Sequence, residues 1–326
     1  MHGTVQKLTI RFALEAGLRL DLACSSRTIG RSAHERCCNG KGEDVTADGT
    51  DQSDHGDADE VLLYKTSQDA TLNLHVFRPP ARLRDDRRPC IVFFFGGGWI
   101  GGDPGQFFPH CRYFASRGMV AMSAEYRVES RHGTTPYASV ADGKSAVRWI
   151  RGRAQELGVD PNRLAAGGGS AGGQVAAAAA LSSAFDDPSD DLTVICRPDA
   201  LVLFNPCLDA GPSAYAHEQV KERWREFSPI ENVKTGAPPT IVFLGSEDKI
   251  VPVATAREFK RRMEQVGSRC DLHIYEGQAH GFFNYLEGRN RCYDETVIAA
   301  DRFLASLSYI EGEPTMKYPS GDPPAE

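Results

Sequence analysis

A chain of 326 residues has room for one large α/β domain or two smaller ones, and with 41% hydrophobic and 25% charged residues it is far from a disordered, collagen-like or membrane-embedded composition. The formal net charge of −7 comes partly from the run between Glu43 and Glu60, where Asp44, Asp48, Asp51, Asp54, Asp57 and Asp59 accumulate with little apolar content. With that run set aside the charges nearly balance, which excludes a basic face for nucleic acid and a polybasic stretch for an anionic membrane. The expected partner is a small, weakly polar molecule.

Residues 1–60 show no sustained periodicity and are expected to form a tail, largely disordered. Within them the apolar stretch Leu8 to Ala23 is broken by Arg11, Glu15, Arg19 and Asp21, too interrupted for a bilayer span or a secretory signal. A soluble chain is expected, with the compartment open and the cytoplasm favoured. From residue 61 to about 310 the texture is that of an α/β domain. Leu72, Leu74 and Val76 alternate as on an edge strand, and Ile91 to Phe95 is a continuous run suited to a doubly covered strand.

Strands and amphipathic helices then take turns. The sequence predicts a strand at Met119–Ser123, a helix around Val140–Glu156, a strand at Arg163–Ala166, a helix over Ser170–Leu181 and a strand at Ala200–Phe204. It continues with a helix near Tyr215–Arg225, a strand Thr240–Leu244, a helix Val253–Val266, a strand Asp271–Tyr275 and a last helix near Tyr293–Ser306. This order implies a mostly parallel central sheet with helices on both faces. Residues 311–326 are Pro- and Gly-rich and read as a C-terminal tail. The nine cysteines lack CxxC spacing and a histidine cluster, so no zinc or other metal site is expected, and no cofactor.

In open parallel sheets chemistry gathers where strands end. Gly96-Gly97-Gly98-Trp99 follows the run at Phe95, and Gly168-Gly169-Ser170-Ala171-Gly172 joins a strand to a helix and matches GxSxG. A serine on so sharp a turn needs small neighbours. The same glycines also satisfy GxGxxG, but the next strand arrives late and ends in Asn205-Pro206 rather than in an acidic residue, which counts against a dinucleotide site.

A serine hydroxyl needs a base, and among nine histidines only His280 follows a late strand with small neighbours. The imidazole needs a carboxylate, for which Asp248 stands at the end of the preceding strand, with Glu247 and Asp209 as weaker alternatives. The order Ser, Asp, His is that of α/β-hydrolases. The amides of Gly96, Gly97 and Ala171 are the expected oxyanion donors, and Trp99 and Phe282 are candidates for the pocket wall.

At these positions the chain resembles the hormone-sensitive-lipase-like and acetylesterase-like branch of the α/β-hydrolases. The resemblance rests on Gly96-Gly97-Gly98-Trp99, Glu125-Tyr126-Arg127, Asp160-Pro161-Asn162-Arg163, Gly168 to Gly172, Gly245-Ser246-Glu247-Asp248 with Val251-Pro252, and Ala279-His280-Gly281-Phe282. It implies an α/β-hydrolase fold and a cofactor-independent serine esterase acting on short acyl groups, with acetyl or feruloyl esters of carbohydrates as the finer expectation. A departure is Phe95, where the family's oxyanion motif usually begins with His; the family's N-terminal cap also has no clear counterpart. Other readings are a prolyl-oligopeptidase-like peptidase and a non-catalytic ligand-binding relative.

Overall fold

The computed structural model describes residues 57–67, 70–80, 86–288 and 290–317. The expected N-terminal tail therefore lies outside the described residues up to position 56, and the C-terminal one from position 318. The strands are β1 (Glu60–Thr66), β2 (Thr71–Phe77), β3 (Arg88–Phe94), β4 (Val120–Ala124), β5 (Val159–Gly169), β6 (Ala200–Phe204), β7 (Thr240–Gly245) and β8 (Cys270–Tyr275). They form one eight-stranded sheet in the order β1-β2-β4-β3-β5-β6-β7-β8. The β1–β2 and β2–β4 pairs are antiparallel and the others parallel.

Side-chain alternation explains why both faces are covered. On β3, Val92 and Phe94 enter one buried cluster while Ile91 and Phe93 enter the other. On β6, Leu201 and Leu203 divide in the same way from Val202 and Phe204. Helices Pro136–Gly152, Ala171–Leu181 and Val253–Gln265 cover the first face. Helices Phe108–Ser116 and Arg291–Ser306 cover the second.

Several expectations shift. The alternating strand β2 is not the edge, because β1 pairs outside it. The helix Phe108–Ser116 has an aromatic-rich sequence with no clear 3.6-residue stripe, so periodicity did not reveal it. The single helix expected near Tyr215–Arg225 is instead three short turns, His217–Val220, Lys221–Arg223 and Trp224–Phe227, interrupted where Lys221 takes φ of 41°. The late arrival of β6 also has an explanation. The connection before it carries Asp186, Asp187 and Asp190, which pair with Lys144, Lys65 and Arg148 on the sheet side.

His110 is fully buried on the Phe108–Ser116 helix, with its ring within 4.9 Å of Phe107 and 4.8 Å of Tyr293, and neither ring nitrogen has a hydrogen-bond partner among the described residues. Burial holds its pKa down at about 3, against an ordinary value of 6.5. Between those two values the unfolded chain binds a proton that the folded chain refuses, so stability falls as pH falls through that window. His110→Phe should therefore show a stability advantage over wild type that widens from about pH 7 to about pH 4, measured as denaturant midpoints. A gap that does not change with pH would show that His110 is not held neutral.

Candidate active site

Strand β5 ends at Gly169, and Ser170 turns the chain sharply at φ 53°, ψ −117° into helix Ala171–Leu181. The turn is possible because its neighbours lack side chains. A Cβ on Gly172 would lie 2.0 Å from the Phe94 carbonyl oxygen and one on Gly168 2.5 Å from the same atom. Register makes this crowding unavoidable, since Phe94 pairs directly with Gly168 across β3 and β5. The Ser170 amide donates to the Phe204 carbonyl at 2.9 Å and its carbonyl accepts from Cys207 at 3.2 Å, which fixes the serine against the end of β6.

His280 comes from the segment after β8, 110 residues further along the chain, and its Nε2 lies 2.9 Å from Ser170 Oγ. On the other side of the ring, Nδ1 lies 2.7 Å from Asp248 Oδ2. An ionised carboxylate only accepts, so Nδ1–H donates to Asp248 and the Nε2 lone pair faces the serine O–H. Asp248 is held in turn by the Ile250 and Val251 amides, which donate to its Oδ1 at 2.8 and 2.9 Å. Its side chain is fully buried, so no water competes for the oxygen that faces the imidazole.

The two weaker carboxylate candidates stand apart from this relay. Glu247 is exposed. Asp209 Oδ1 accepts from the Gly211 amide at 2.8 Å, and the residue borders a cavity instead. Sequence reasoning passed over Asn205 as a strand end. It is buried at φ 33°, and its amide nitrogen lies 3.1 Å from His280 Nε2 and 3.3 Å from Nδ1, bracing the ring from a third side. A non-glycine residue at positive φ beside the His280 ring is a signal only coordinates carry.

The glycine loop after β3 differs from expectation in one donor. The Gly96 amide is occupied, donating to Gln106 Oε1 at 2.6 Å, and Gln106 Nε2 donates to Asn284 Oδ1 at 2.9 Å. Gly96 is thus an anchor of the loop rather than an oxyanion donor. Among the described residues no acceptor takes the amides of Gly97, Gly98 or Ala171. Gly97 and Gly98 sit at φ 126° and 63°, conformations that glycine adopts without strain. Phe95, standing at the usual histidine position, is buried and stacks on Tyr126 with centroids 4.2 Å apart, and the Tyr126 hydroxyl donates to the Phe95 carbonyl at 2.6 Å.

Neither pocket-wall candidate borders the cavity lined by Cys207, Asp209 and Tyr215. Trp99 is buried in the core, donating its indole N–H to Gln174 at 3.2 Å and meeting Phe227 edge-on. Phe282 is half-buried against Tyr275, with centroids 4.9 Å apart. The aromatic rings gain more by packing than by facing the cleft. Among the described residues no cluster of His, Cys, Asp and Glu could hold a metal ion, and no helix is long and apolar enough to cross a membrane.

A serine on a strand-to-helix elbow, linked through an imidazole to a buried carboxylate at one end of a mostly parallel sheet, is the arrangement of α/β serine hydrolases. Comparison with known proteins agrees. Residues 74–198 match the family BD-FAE, and residues 202–308 match the dienelactone hydrolase family. Esterase LipC of Mycobacterium tuberculosis is 31% identical over 225 residues, 61% of this chain and 54% of that protein. Probable carboxylic ester hydrolase LipM of the same organism is 26% identical over 72% of this chain and 58% of that protein. The chain thus spans a little over half the length of these relatives. Thermogutta terrifontis esterase 2, in a structure phosphoramylated by tabun, superposes with a TM-score of 0.75 at 43% identity, covering 78% of this chain and 96% of that one. The same esterase is also known with propionate bound. The chain belongs to the α/β-hydrolase serine esterases.

Proposed function

We propose that this chain hydrolyses short-chain carboxylic esters through Ser170, His280 and Asp248. The observation that carries the reading is the continuous hydrogen-bonded relay, 2.9 Å from serine to imidazole and 2.7 Å from imidazole to carboxylate. His280 takes the Ser170 proton as Oγ attacks the ester carbonyl, and Asp248 holds the ring in the reactive tautomer and balances the imidazolium. The oxyanion is received by the Gly97, Gly98 and Ala171 amides, the last at the N-terminus of a helix whose dipole favours negative charge. His280 then protonates the departing alcohol, and water releases the acyl-enzyme by the same proton path in reverse.

The esterase 2 of Thermogutta terrifontis with bound propionate supports a short acyl group. The sequence resemblance to acetyl and feruloyl esterases supports carbohydrate esters as the finer substrate class. The tabun adduct of the same esterase motivates the test. An organophosphate such as a fluorophosphonate should modify the protein once, on Ser170, in parallel with loss of p-nitrophenyl acetate hydrolysis. Mass spectrometry that places the adduct elsewhere, or a wild-type protein inert toward the acetate, would overturn the proposal. Proline amides run alongside the acetate separate esterase from peptidase.

A further inference from the structure

Three segments must keep register for the chemistry: the glycine loop after β3, the turn at Ser170 and the segment that carries His280. One side chain joins the first to the third. Gln106 sits on a single helical turn, Pro104–Phe107, capped by Asp103, whose side chain accepts from the Gly105 amide at 2.7 Å. Pro104 and Phe107 are buried, and the Pro104 carbonyl accepts from Ser123 Oγ at 2.7 Å, so the backbone that carries Gln106 is fixed.

The chemistry of the bridge leaves one arrangement. The Gly96 N–H can only donate, so the Gln106 carboxamide turns Oε1 toward it, at 2.6 Å. That leaves Nε2, a donor, against Asn284, which answers with Oδ1 at 2.9 Å. The Asn284 amide in turn donates at 3.1 Å to the carbonyl of Gly281, the residue after His280. Neighbouring residues repeat the contact in apolar form. Phe107 stacks on Phe283 with centroids 5.8 Å apart, and a Cβ on Gly169, the residue before the nucleophile, would lie 2.4 Å from the Phe283 ring.

What the bridge holds is the oxyanion loop. Gly96 lies against the turn of the nucleophile, where a Cβ would stand 3.2 Å from the Gly169 oxygen and 3.5 Å from the Ser170 Cβ. The Gly97 amide is one peptide beyond the Gly96 nitrogen that Gln106 engages, and the Gly97 carbonyl accepts from the Ile100 and Gly101 amides at 3.0 and 3.1 Å. Glycines at positive φ have no side chains to keep such a loop in one conformation. Hydrogen bonds from outside supply the restraint, and donors stabilise an oxyanion only while they stay aimed at it.

We infer that Gln106, together with Asn284, is a positioning residue for ester hydrolysis: it sets the Gly97 and Gly98 amides against the segment that carries His280, so that oxyanion donors and base act in one register. The inference rests on the ester-hydrolase reading above. Gln106→Met keeps the length of the side chain and removes both hydrogen bonds. It should lower kcat for p-nitrophenyl acetate by about 10- to 100-fold, the scale of a displacement of up to about 1 Å, with KM within about twofold of wild type. A trifluoromethyl ketone, whose hemiketal oxyanion occupies the same amides, should lose affinity in proportion to kcat/KM. Asn284→Leu should show the same pattern, and the double variant should be worse than Gln106→Met by no more than about twofold, since both changes break one chain. Asn284→Asp, which restores an acceptor for Nε2, should recover most of the kcat lost in Asn284→Leu. A purely structural role would lower the denaturant midpoint and leave kcat per folded molecule and ketone affinity unchanged; that result overturns the inference, as does a double variant whose losses multiply. If Gln106→Met does not fold, Asn284→Leu and its recovery in Asn284→Asp decide. Wild type inert toward the acetate defeats the hydrolase reading instead, whereas an active wild type with undiminished variants defeats only the positioning role.

Discussion

Ser170→Ala should lower kcat for p-nitrophenyl acetate by about 10⁴- to 10⁶-fold. The physical reason is that the hydroxyl stands 2.9 Å from His280 Nε2, placed to give up its proton to the imidazole as it attacks the ester carbonyl. The alanine protein should remain folded, because Ser170 makes its structural bonds through its backbone, to Phe204 and Cys207. A companion change separates chemistry from strain. Ser170 sits at φ 53°, ψ −117°, where a side chain is held at a cost of about 1–3 kcal/mol. Ser170→Gly should be as inactive as the alanine variant yet more stable than wild type by about 1 kcal/mol, read from denaturant midpoints. Retained turnover in the alanine variant would remove Ser170 from the chemistry. A glycine variant no more stable than wild type would remove the claim that the elbow stores strain.

Gly172→Ala should be among the most damaging glycine-to-alanine changes at the described positions. The new Cβ would lie 2.0 Å from the Phe94 oxygen and 2.3 Å from the Phe95 oxygen, and both obstacles are backbone that cannot rotate aside. Relief requires the helix Ala171–Leu181 to move off the sheet, or the end of β3 to move with the oxyanion loop attached to it. Either displacement misaligns Ser170 with the Gly97 and Gly98 amides, and a shift of about 1 Å is worth about 10²-fold in rate. Overpacking adds a stability loss of about 1–3 kcal/mol or more. Gly152→Ala is the contrast. Its nearest atom is a Val194 methyl at 3.9 Å, so the substitution should be neutral or stabilising by up to about 1 kcal/mol. Equal behaviour of the two variants, in midpoint and in kcat, would mean that the crowding at Gly172 is not what holds the elbow in place.

Much of the sheet was legible because burial on both faces leaves a direct signature, the continuous runs at Ile91–Phe95 and Thr240–Leu244. The helix Phe108–Ser116 was not, since its residues Phe108, His110, Tyr113 and Phe114 satisfy aromatic contacts in three dimensions rather than a stripe of simple period. Gly96 shows the same limit within the site. As a sequence, three successive glycines offer equivalent amides; only the fold brings Gln106 onto the first of them and Asn284 onto Gln106, the latter pair 178 residues apart. Trp99 followed a loop that carries chemistry but turned into the core, where Gln174 answers its one polar atom.

By itself the sequence determined the residues that face chemical and steric demands local to their own segment: small neighbours around Ser170, a carboxylate after one strand, a histidine after the next. Such demands can be read because a turn's backbone angles and a strand's alternation are set within a few residues. The tertiary structure alone decided which amides stay without an acceptor, which rings pack in the core, and that Asp209 and Lys249 border the same cavity as Cys207. Those outcomes depend on which distant group arrives first to satisfy a donor or fill a space, and no local pattern encodes the arrival.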